Sequence, residues 1–363
     1  MRTRKKINVA ILFGGKSAEH EVSLRSAKNV YEAINKDKYN PILIGIDPTG
    51  KWRLAEDARV LIEGTSSRGI GTLGSREVTF APEGYGEILP LAAGTVGSID
   101  VAFPILHGPM GEDGTVQGLL KLAQIPFVGA SVLGSAVGMD KDVMKRLLRD
   151  AGIPVAKFLA LEADDPIPEF SEVQERLGLP VFVKPANMGS SVGVSKVLTA
   201  GEYREAVALA FSFDVKILVE EFVLGRELEC AVLGNRQPAV SVVGEIRPSH
   251  EFYSYEAKYL DENGAVLEIP AKISEAETQR VQELALRSFR VLACEGMGRV
   301  DLFLRPDGQI LVNEINTIPG FTKISMYPKL WECSGVSYSE LIDRLIGLAM
   351  ERFEKEKRLK TRY

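Results

Sequence analysis

The Asp307-Gly308 pair, which separates two runs of alternating apolar and polar residues near the C-terminus, constrains the local fold more than any other feature of the sequence. Asp-Gly between alternating runs is the strongest short-range signal for a β-hairpin with a two-residue turn. A symmetric hairpin built on this turn pairs Asp301 with Glu314 and Arg299 with Asn316. Because strand side chains alternate between faces, all four lie on one face.

Two carboxylates that face each other across a hairpin repel unless a cation neutralises them. Oxygen ligands with this spacing suit Mg²⁺, which binds carboxylates together with substrate phosphates. The pattern therefore predicts that Asp301 and Glu314 hold a cation. The alternative, a solvated polar face on an edge hairpin, stays open at this point.

Composition narrows the class of protein. The 363 residues predict two to three domains, and 45% hydrophobic with 26% charged residues is ordinary for a soluble enzyme. The net charge of −5 argues against a nucleic-acid partner, which favours a basic surface, and no apolar run is long enough to predict a membrane span. Cys230, Cys294 and Cys333 form no CxxC pattern, so we expect reduced packing residues in a cytoplasmic protein.

Strands and helices alternate in the first third of the chain, which is typical of an open α/β layer. A Gly- and Ser-rich stretch, 64–74, is predicted to be a surface excursion from this layer, and 137–152 is predicted to be one helix. From Pro180 onward the pattern changes to short antiparallel strands. The predicted strands are 7–13, 41–46, 101–106, 181–184, 192–197, 216–222 and 228–233. The other predicted helices are one that spans 22–34, with apolar positions at near-helical spacing, and those at 115–123, 200–211, 275–294 and 338–353.

Two Gly-rich segments are candidate phosphate-binding loops, and the first is rejected. Gly14-Gly15-Lys16-Ser17 is not a P-loop, because Ala10 stands where that motif requires its first glycine. The segment 185–191 lies between two strands, so its glycines and serines could fold over phosphates, with Lys184 at its base. The simpler interpretation is an ordinary flexible hairpin loop.

Four further features could carry chemistry. Glu19 lies near a helix start at the carboxyl end of a strand, where open α/β sheets bind ligands, although acidic residues are common there. Segment 217–227 is a strand with acidic residues at its end. Segment 252–260 is either an edge strand, which we favour slightly, or a loop that closes over a site. The Pro-Gly turn after Asn316 could expose N–H groups to an anion.

Together these segments resemble the D-alanine–D-alanine ligases of the ATP-grasp family, over nearly the whole chain. The motifs are highly specific as a set: Phe13–Ser23, Leu106–Gly114, Met139-Asp140-Lys141, Gly189–Gly193, Glu256–Tyr259 and Asn313–Thr322. The resemblance implies an α/β (α+β overall) fold of three domains with ATP between two antiparallel sheets. It divides the chain into an N-terminal α/β domain at 1–129, a central ATP-grasp subdomain at 130–220 and a C-terminal subdomain at 221–363.

The resemblance also implies roles for individual residues. The nucleotide would be bound by Lys141, Lys184, Ser190, Ser191, Glu220, Glu221, Phe222, Val223, Glu227, Asn313 and Glu314, with the lysines on phosphate, Glu220 near adenine and Glu227 near ribose. Two Mg²⁺ ions, replaceable by Mn²⁺, would be held by Asp301, Glu314 and Asn316. The first D-alanine would meet Glu19 and His107, the second Ser325 and Met326, and the oxyanion Arg299 and Gly320. Ser190 and Tyr259 would hydrogen-bond across the closed site.

The expected activity is ATP-dependent joining of two D-alanines through an acyl phosphate, for peptidoglycan precursor synthesis, in a protein expected to be a homodimer. Lys258-Tyr259 resembles the branch that forms the dipeptide, since relatives that join D-lactate carry other residues there. The alternatives are a D-alanine–D-lactate ligase and a catalytically silent ATP-binding protein. A dehydrogenase is disfavoured because the first strand is not followed by G-x-G-x-x-G.

Overall fold

The structure, a computed structural model, describes residues 5–55, 76–91, 97–248 and 265–360. These residues form three β-sheets with helices packed against them. Within the same ranges no helix is both long and apolar enough to cross a membrane. The predicted excursion at 64–74, segment 252–260 and Tyr259 lie outside the described residues.

The N-terminal sheet has six strands in the order β5-β4-β3-β2-β1-β6. Strand β1 lies between β2 and β6 and is parallel to both, whereas the edge strands β3 to β5 are antiparallel. The predicted α/β layer is therefore confirmed, with an antiparallel extension that the sequence analysis missed. The strands are β1 Ile7–Gly14, β2 Tyr39–Ile46, β3 Trp52–Leu54, β4 Arg76–Phe80, β5 Ile88–Pro90 and β6 Val101–Ile105, and the helices α1 His20–Ala33 and α2 Thr115–Leu122 follow β1 and β6.

The predicted single helix at 137–152 is wrong. The chain forms α3 at Val132–Met139 and α4 at Lys141–Asp150, with Asp140 between them in an extended conformation. The Asp140 carboxylate accepts hydrogen bonds from the N–H groups of Asp142 and Val143, and thereby caps the start of α4. The break makes Lys141 the first residue of a new helix.

The middle sheet is antiparallel, with the order β7-β10-β8-β9. Its helices bury Val173 and Tyr203 against it in a core of its own. Helix α6 begins where the sequence predicts, because Thr199 and Glu202 form a capping box. The elements are β7 Phe158–Glu162, α5 Phe170–Leu177, β8 Val181–Pro185, β9 Ser195–Val197, α6 Ala200–Phe211 and β10 Lys216–Glu221.

The C-terminal sheet is antiparallel, with the order β13-β12-β11-β14-β15. One face packs on α7, α4 and residues 130–153, and the last two helices share a core with the N-terminal sheet. The predicted domain boundaries stay a prediction. The elements are β11 Arg226–Gly234, β12 Ala239–Pro248, β13 Ala265–Glu268, α7 Glu275–Val291, β14 Gly296–Leu304, β15 Ile310–Asn316, α8 Met326–Cys333 and α9 Tyr338–Glu356.

The β14–β15 hairpin pairs Asp301 with Glu314 and Arg299 with Asn316, as predicted. The prediction of a symmetric two-residue turn is wrong, however. Arg305 and Gln309 close a three-residue loop in which Gly308 has a φ of 81°, which is a type I turn followed by a left-handed residue.

The longer loop shifts the pairing by one residue, so that Leu304 pairs with Ile310. A β-bulge then reverses the shift, since Leu302 pairs with Val312 while Asp301 pairs with Glu314. Asn313 is the extra residue in the bulge. The two irregularities cancel, and without the bulge Asp301 would lie opposite Asn313.

Substituting alanine at two open glycines tests this turn. Gly308→Ala should destabilise the protein by about 1 kcal/mol, because alanine is strained at a φ of 81°, although a Cβ there meets no atom within 4 Å. Gly347→Ala in α9, which also meets nothing within 4 Å, should instead stabilise it by about 0.5–1 kcal/mol. Urea unfolding measures both, and equal effects at the two positions would contradict the turn geometry.

Candidate active site

A cavity of about 510 Å³ opens between the middle and C-terminal sheets. The segment 188–191 covers one side, the end of β10 forms another, and the hairpin strand β15 forms the floor. Every residue predicted to bind nucleotide lines this one cavity: Lys141, Lys184, Ser190, Ser191, Glu220, Glu221, Phe222, Val223, Glu227, Asn313 and Glu314. The bulge explains why neighbouring Asn313 and Glu314 both reach it, since regular alternation would direct them to opposite faces.

Lys141 contacts two different sides of this cavity, the covering segment and strand β15. Its Nζ donates a hydrogen bond to the carbonyl of Met188 in the covering segment, at 2.7 Å. The same Nζ lies 3.5 Å from Oε2 of Glu314 on β15. The helix break at Asp140 thus places one cation between the loop and the hairpin.

A buried ion triad forms the inner wall. Nζ of Lys145 and Nζ of Lys184 lie 3.1 Å and 3.0 Å from the same oxygen, Oε2 of Glu220. Burial alone would raise the pKa of Glu220, but the two ammonium groups hold it below its ordinary value. Burial lowers the pKa of Lys145, and Glu220 opposes that shift. Lys141 and Lys184 both line the cavity and place positive charge beside it, which suits an anionic ligand.

Lys145 was missed by the sequence analysis, although its side chain is fully buried. The available signal was its position four residues after Lys141, on the helix face that also buries Met144 and Leu148. A lysine on the apolar stripe of a helix indicates a buried partner. Glu220 faces these lysines, and its predicted place near adenine stays a prediction.

Arg299 and Asp301 form a charge pair on the hairpin floor. Nε and an Nη atom of Arg299 donate to the two oxygens of Asp301 at 2.8 and 2.7 Å, and Nε also lies 2.8 Å from Oε2 of Glu229. Asn316 donates its amide N–H to Asp301 at 3.0 Å. The carboxylates of Asp301 and Glu314 are therefore countered by Arg299 and Lys141 respectively. Glu229, on the neighbouring strand β11, was missed.

Asp301, Glu314 and Asn316 offer two carboxylates and one amide, which is a hard oxygen donor set that fits Mg²⁺ or Mn²⁺. Among the described residues no group of three or more His, Cys, Asp or Glu side chains is arranged to hold a metal ion. A divalent ion here would therefore complete its shell with oxygens of the bound substrate, as Mg²⁺ does in many phosphate sites.

The covering segment reaches across to the N-terminal domain. The Ser190 hydroxyl donates a hydrogen bond to Oε1 of Glu19, which is buried at the start of α1. Ser190 and Ser191 both have positive φ, of 51° and 60°. Two consecutive non-glycine residues in this region are strained, and such strain concentrates at functional sites. Predicted contacts of Tyr259 with this segment lie outside the described residues.

His107 and Glu112 are buried, and the charge of Glu19 acts on both. Nδ1 of His107 lies 3.1 Å from the carbonyl oxygen of Ile318, and burial lowers the pKa of His107. Burial and the charge of Glu19 raise the pKa of Glu112 to about 8. Glu112 lies within the motif Leu106–Gly114, but no role was predicted for it. A sequence does not show that a carboxyl in a Gly-rich turn is buried.

The predicted residues after β15 lie at the start of α8. Ser325 precedes the helix and accepts a hydrogen bond from the N–H of Thr322 at 2.9 Å. A Cβ on Gly320 would lie 2.8 Å from the Ser325 hydroxyl, so a larger residue would displace that hydroxyl. The N–H of Gly320 has no acceptor among the described residues. Gly320, Ser325 and buried Met326 are therefore brought together.

The fold is an ATP-grasp fold, in which two antiparallel sheets enclose the cleft, and Ser190 of the covering segment contacts Glu19 near the N-terminal sheet. The family model described as D-ala D-ala ligase N-terminus matches residues 8–130, and that described as D-ala D-ala ligase C-terminus matches 147–347. The chain belongs to the D-alanine–D-alanine ligase family.

Individual relatives match over nearly their full length. The D-alanine–D-alanine ligase of Oceanobacillus iheyensis is 54% identical, with 98% of each chain covered, and ligase A of Escherichia coli is 48% identical, covering 98% of this chain and 99% of its own. The D-alanine–D-alanine ligase structure from Coxiella burnetii has a TM-score of 0.85 at 38% identity, covering 98% of this chain and 97% of that one. The VanG D-Ala:D-Ser ligase from Enterococcus faecalis has a TM-score of 0.84 at 38% identity, covering 95% and 100%.

Glu220→Gln should destabilise the protein by about 3–5 kcal/mol, because it leaves fully buried Lys145 and partly exposed Lys184 without their carboxylate. Glu221→Gln is the matched control, since its side chain accepts a hydrogen bond from the Lys157 N–H and the amide keeps an acceptor oxygen. Chemical unfolding at neutral pH measures both. A loss below about 1 kcal/mol for Glu220→Gln would contradict the triad.

Proposed function

We propose that this protein joins two D-alanine molecules into D-alanyl-D-alanine, converting ATP to ADP and phosphate. The observation that carries the proposal is the contact between Ser190 and Glu19, because it links the segment over the phosphate cavity to the site predicted for the first substrate. A ligase that couples phosphoryl transfer to bond formation needs these two sites under one cover. We further propose that the product serves peptidoglycan precursor synthesis in the cytoplasm and that the protein is a homodimer.

ATP would lie in the cavity with its phosphates toward Lys141 and Lys184. Both lysines line the cavity, and their positive charge supports this orientation. At the other end the rings of Phe182 and Phe222 lie 6.1 Å apart, which offers an apolar wall for adenine. The backbone of Glu221–Val223 would bind the base, and Glu227 would bind the ribose.

Two Mg²⁺ ions would be held by Asp301, Glu314 and Asn316 together with phosphate oxygens. When bound, they supply positive charge against the β- and γ-phosphates. Lys141 lies beside Glu314 and adds a fixed positive charge at the same place.

The reaction has to activate a carboxylate, which is a poor electrophile. An oxygen of the first D-alanine carboxylate takes the γ-phosphoryl group and ADP leaves, which gives an acyl phosphate. The amine of the second D-alanine then attacks the carbonyl carbon, the C–O bond to phosphate breaks, and the nitrogen loses a proton. Arg299 and the Gly320 N–H would stabilise the tetrahedral oxyanion, at about 3–4 kcal/mol for one good donor.

Each D-alanine would have its own charged partners. Glu19 would bind the ammonium of the first D-alanine, with His107 close by, and both are buried. The carboxylate of the second would meet Ser325 and the N–H of Met326 at the start of α8. The positive end of that helix favours an anion. Segment 188–191 and Tyr259 would exclude water, which would otherwise hydrolyse the acyl phosphate.

One assay tests the function and its alternatives. The protein is incubated with ATP, Mg²⁺ and D-alanine, while phosphate release and product mass are followed. We expect D-alanyl-D-alanine with one phosphate per dipeptide. Parallel reactions add D-lactate or D-serine as acceptor, and L-alanine replaces D-alanine as the control. A mixed D-alanyl-D-lactate or D-alanyl-D-serine product in preference to the dipeptide would change the assigned acceptor, and no D-alanine-dependent phosphate release would overturn the function.

Glu314→Gln should reduce turnover at least about 1,000-fold while leaving the fold intact, because an amide is a much poorer ligand for Mg²⁺ than a carboxylate. Asp307→Asn is the control, since this exposed acid lies in the turn of the same hairpin and should change turnover less than about twofold. Turnover at saturating substrates and far-UV circular dichroism measure the two effects. Near-normal turnover in Glu314→Gln would refute its role.

A further inference from the structure

The loop that carries Gly320 is held on both sides by the N-terminal domain. On one side, the N–H of Phe321 donates to the Ser26 hydroxyl at 3.1 Å, and the Phe321 carbonyl accepts from Asn29 at 3.0 Å. On the other side, Ile318 is bound through both of its backbone polar groups. Gly320 therefore lies between two anchors, and its N–H has no acceptor among the described residues.

Glu112 and His107 hold Ile318. The Ile318 N–H donates to Oε1 of Glu112 at 3.3 Å, and its carbonyl oxygen lies 3.1 Å from Nδ1 of His107. A carbonyl only accepts, so Nδ1 of His107 carries the hydrogen in this contact. Pro319 follows, and its ring restricts the backbone between Ile318 and Gly320. Fixing Ile318 thus limits where the Gly320 N–H points.

The other oxygen of Glu112 binds the loop against Glu19. Its Oε2 accepts from the N–H of Gly108 at 2.7 Å. A Cβ on Gly108 would lie 3.1 Å from Oε2 of Glu19, so the backbone here runs directly against that carboxylate. One side chain therefore ties the backbone beside Glu19 to the backbone two residues before Gly320.

We propose that Glu112 is a positioning residue for the ligation step. It fixes the position of the Gly320 N–H relative to the first D-alanine, which Glu19 binds. This inference rests on the proposed function. Both carboxyl oxygens are needed, since each accepts a different backbone N–H from a different domain. The raised pKa of Glu112 agrees with such a role, because perturbed buried carboxyls concentrate at functional sites.

Glu112→Gln tests the proposal because an amide can accept only one of these two hydrogen bonds and presents N–H to the other donor. The variant should still form the acyl phosphate, since Lys141, Lys184 and Glu19 are unchanged. Attack by the second D-alanine should be slower, so that acyl phosphate escapes and hydrolyses. We expect phosphate released per dipeptide to rise from one to about three or more, dipeptide turnover to fall at least about tenfold, and KM for ATP to stay within about twofold.

Gln117→Leu is the matched control. Its amide donates to the Gly111 carbonyl at 2.8 Å, so the substitution weakens the same loop without touching Ile318 or Glu19. We expect a lower melting temperature and one phosphate per dipeptide. This ratio separates positioning from stability, because a purely structural role for Glu112 would lower the amount of folded enzyme without changing the ratio.

A ratio of one in folded Glu112→Gln, or an equal rise in Gln117→Leu, would overturn the proposal. If Glu112→Gln does not fold, Glu112→Asp replaces it, since the shorter side chain keeps the carboxyl group but cannot reach both N–H groups, and the same ratio is expected to rise. Amide exchange at Ile318 in the native protein needs no variant: slow exchange supports the bond to Glu112, and unprotected exchange overturns it. Failure of the wild type to make dipeptide is a different result, which refutes the proposed function itself.

Discussion

The site depends on neutralising two carboxylates that face each other across one hairpin. Asp301 and Glu314 are directly paired, and like charges in that position repel. The protein counters Asp301 with Arg299 on its own strand, and Glu314 with Lys141 from a different element. Lys141 is available only because the chain breaks its helix at Asp140 and starts a new one. The charge balance of the hairpin in the C-terminal sheet therefore depends on α4 beginning at Lys141.

The same cation connects this charge balance to the cover of the cavity. Lys141 binds the carbonyl of Met188, and two residues later Ser190 reaches Glu19 in the N-terminal domain. Glu112 ties that domain back to the loop after β15. These contacts form a closed path that joins the three sheets. This physical arrangement agrees with membership of the D-alanine–D-alanine ligase family.

Much of the fold can be predicted from local sequence pattern, whereas the burial of individual charged side chains cannot. The cross-strand pair was predicted correctly although its turn was wrong, because the three-residue loop and the bulge at Asn313 cancel. Pro306 before Asp307-Gly308 was an available signal for the longer loop, because proline favours the second position of a type I turn and glycine the left-handed position that follows it. The bulge at Asn313 has no such signal in the sequence. Glu112 and Glu229 were missed because in a sequence a charged residue looks solvated, and only the packing of distant segments buries it. Lys145 was missed although its place on the apolar stripe of α4 was an available signal. The domain boundaries and the roles of individual residues stay predictions.

Diffraction from crystals grown with Mn²⁺ and ADP, recorded at a wavelength where manganese scatters anomalously, tests the central claim most directly. The account predicts anomalous peaks at bonding distance, about 2.0–2.5 Å, from the carboxylates of Asp301 and Glu314, with Asn316 beside them and the nucleotide phosphates completing the shell. Manganese bound only at other residues, or a nucleotide whose phosphates lie away from this hairpin, would contradict it.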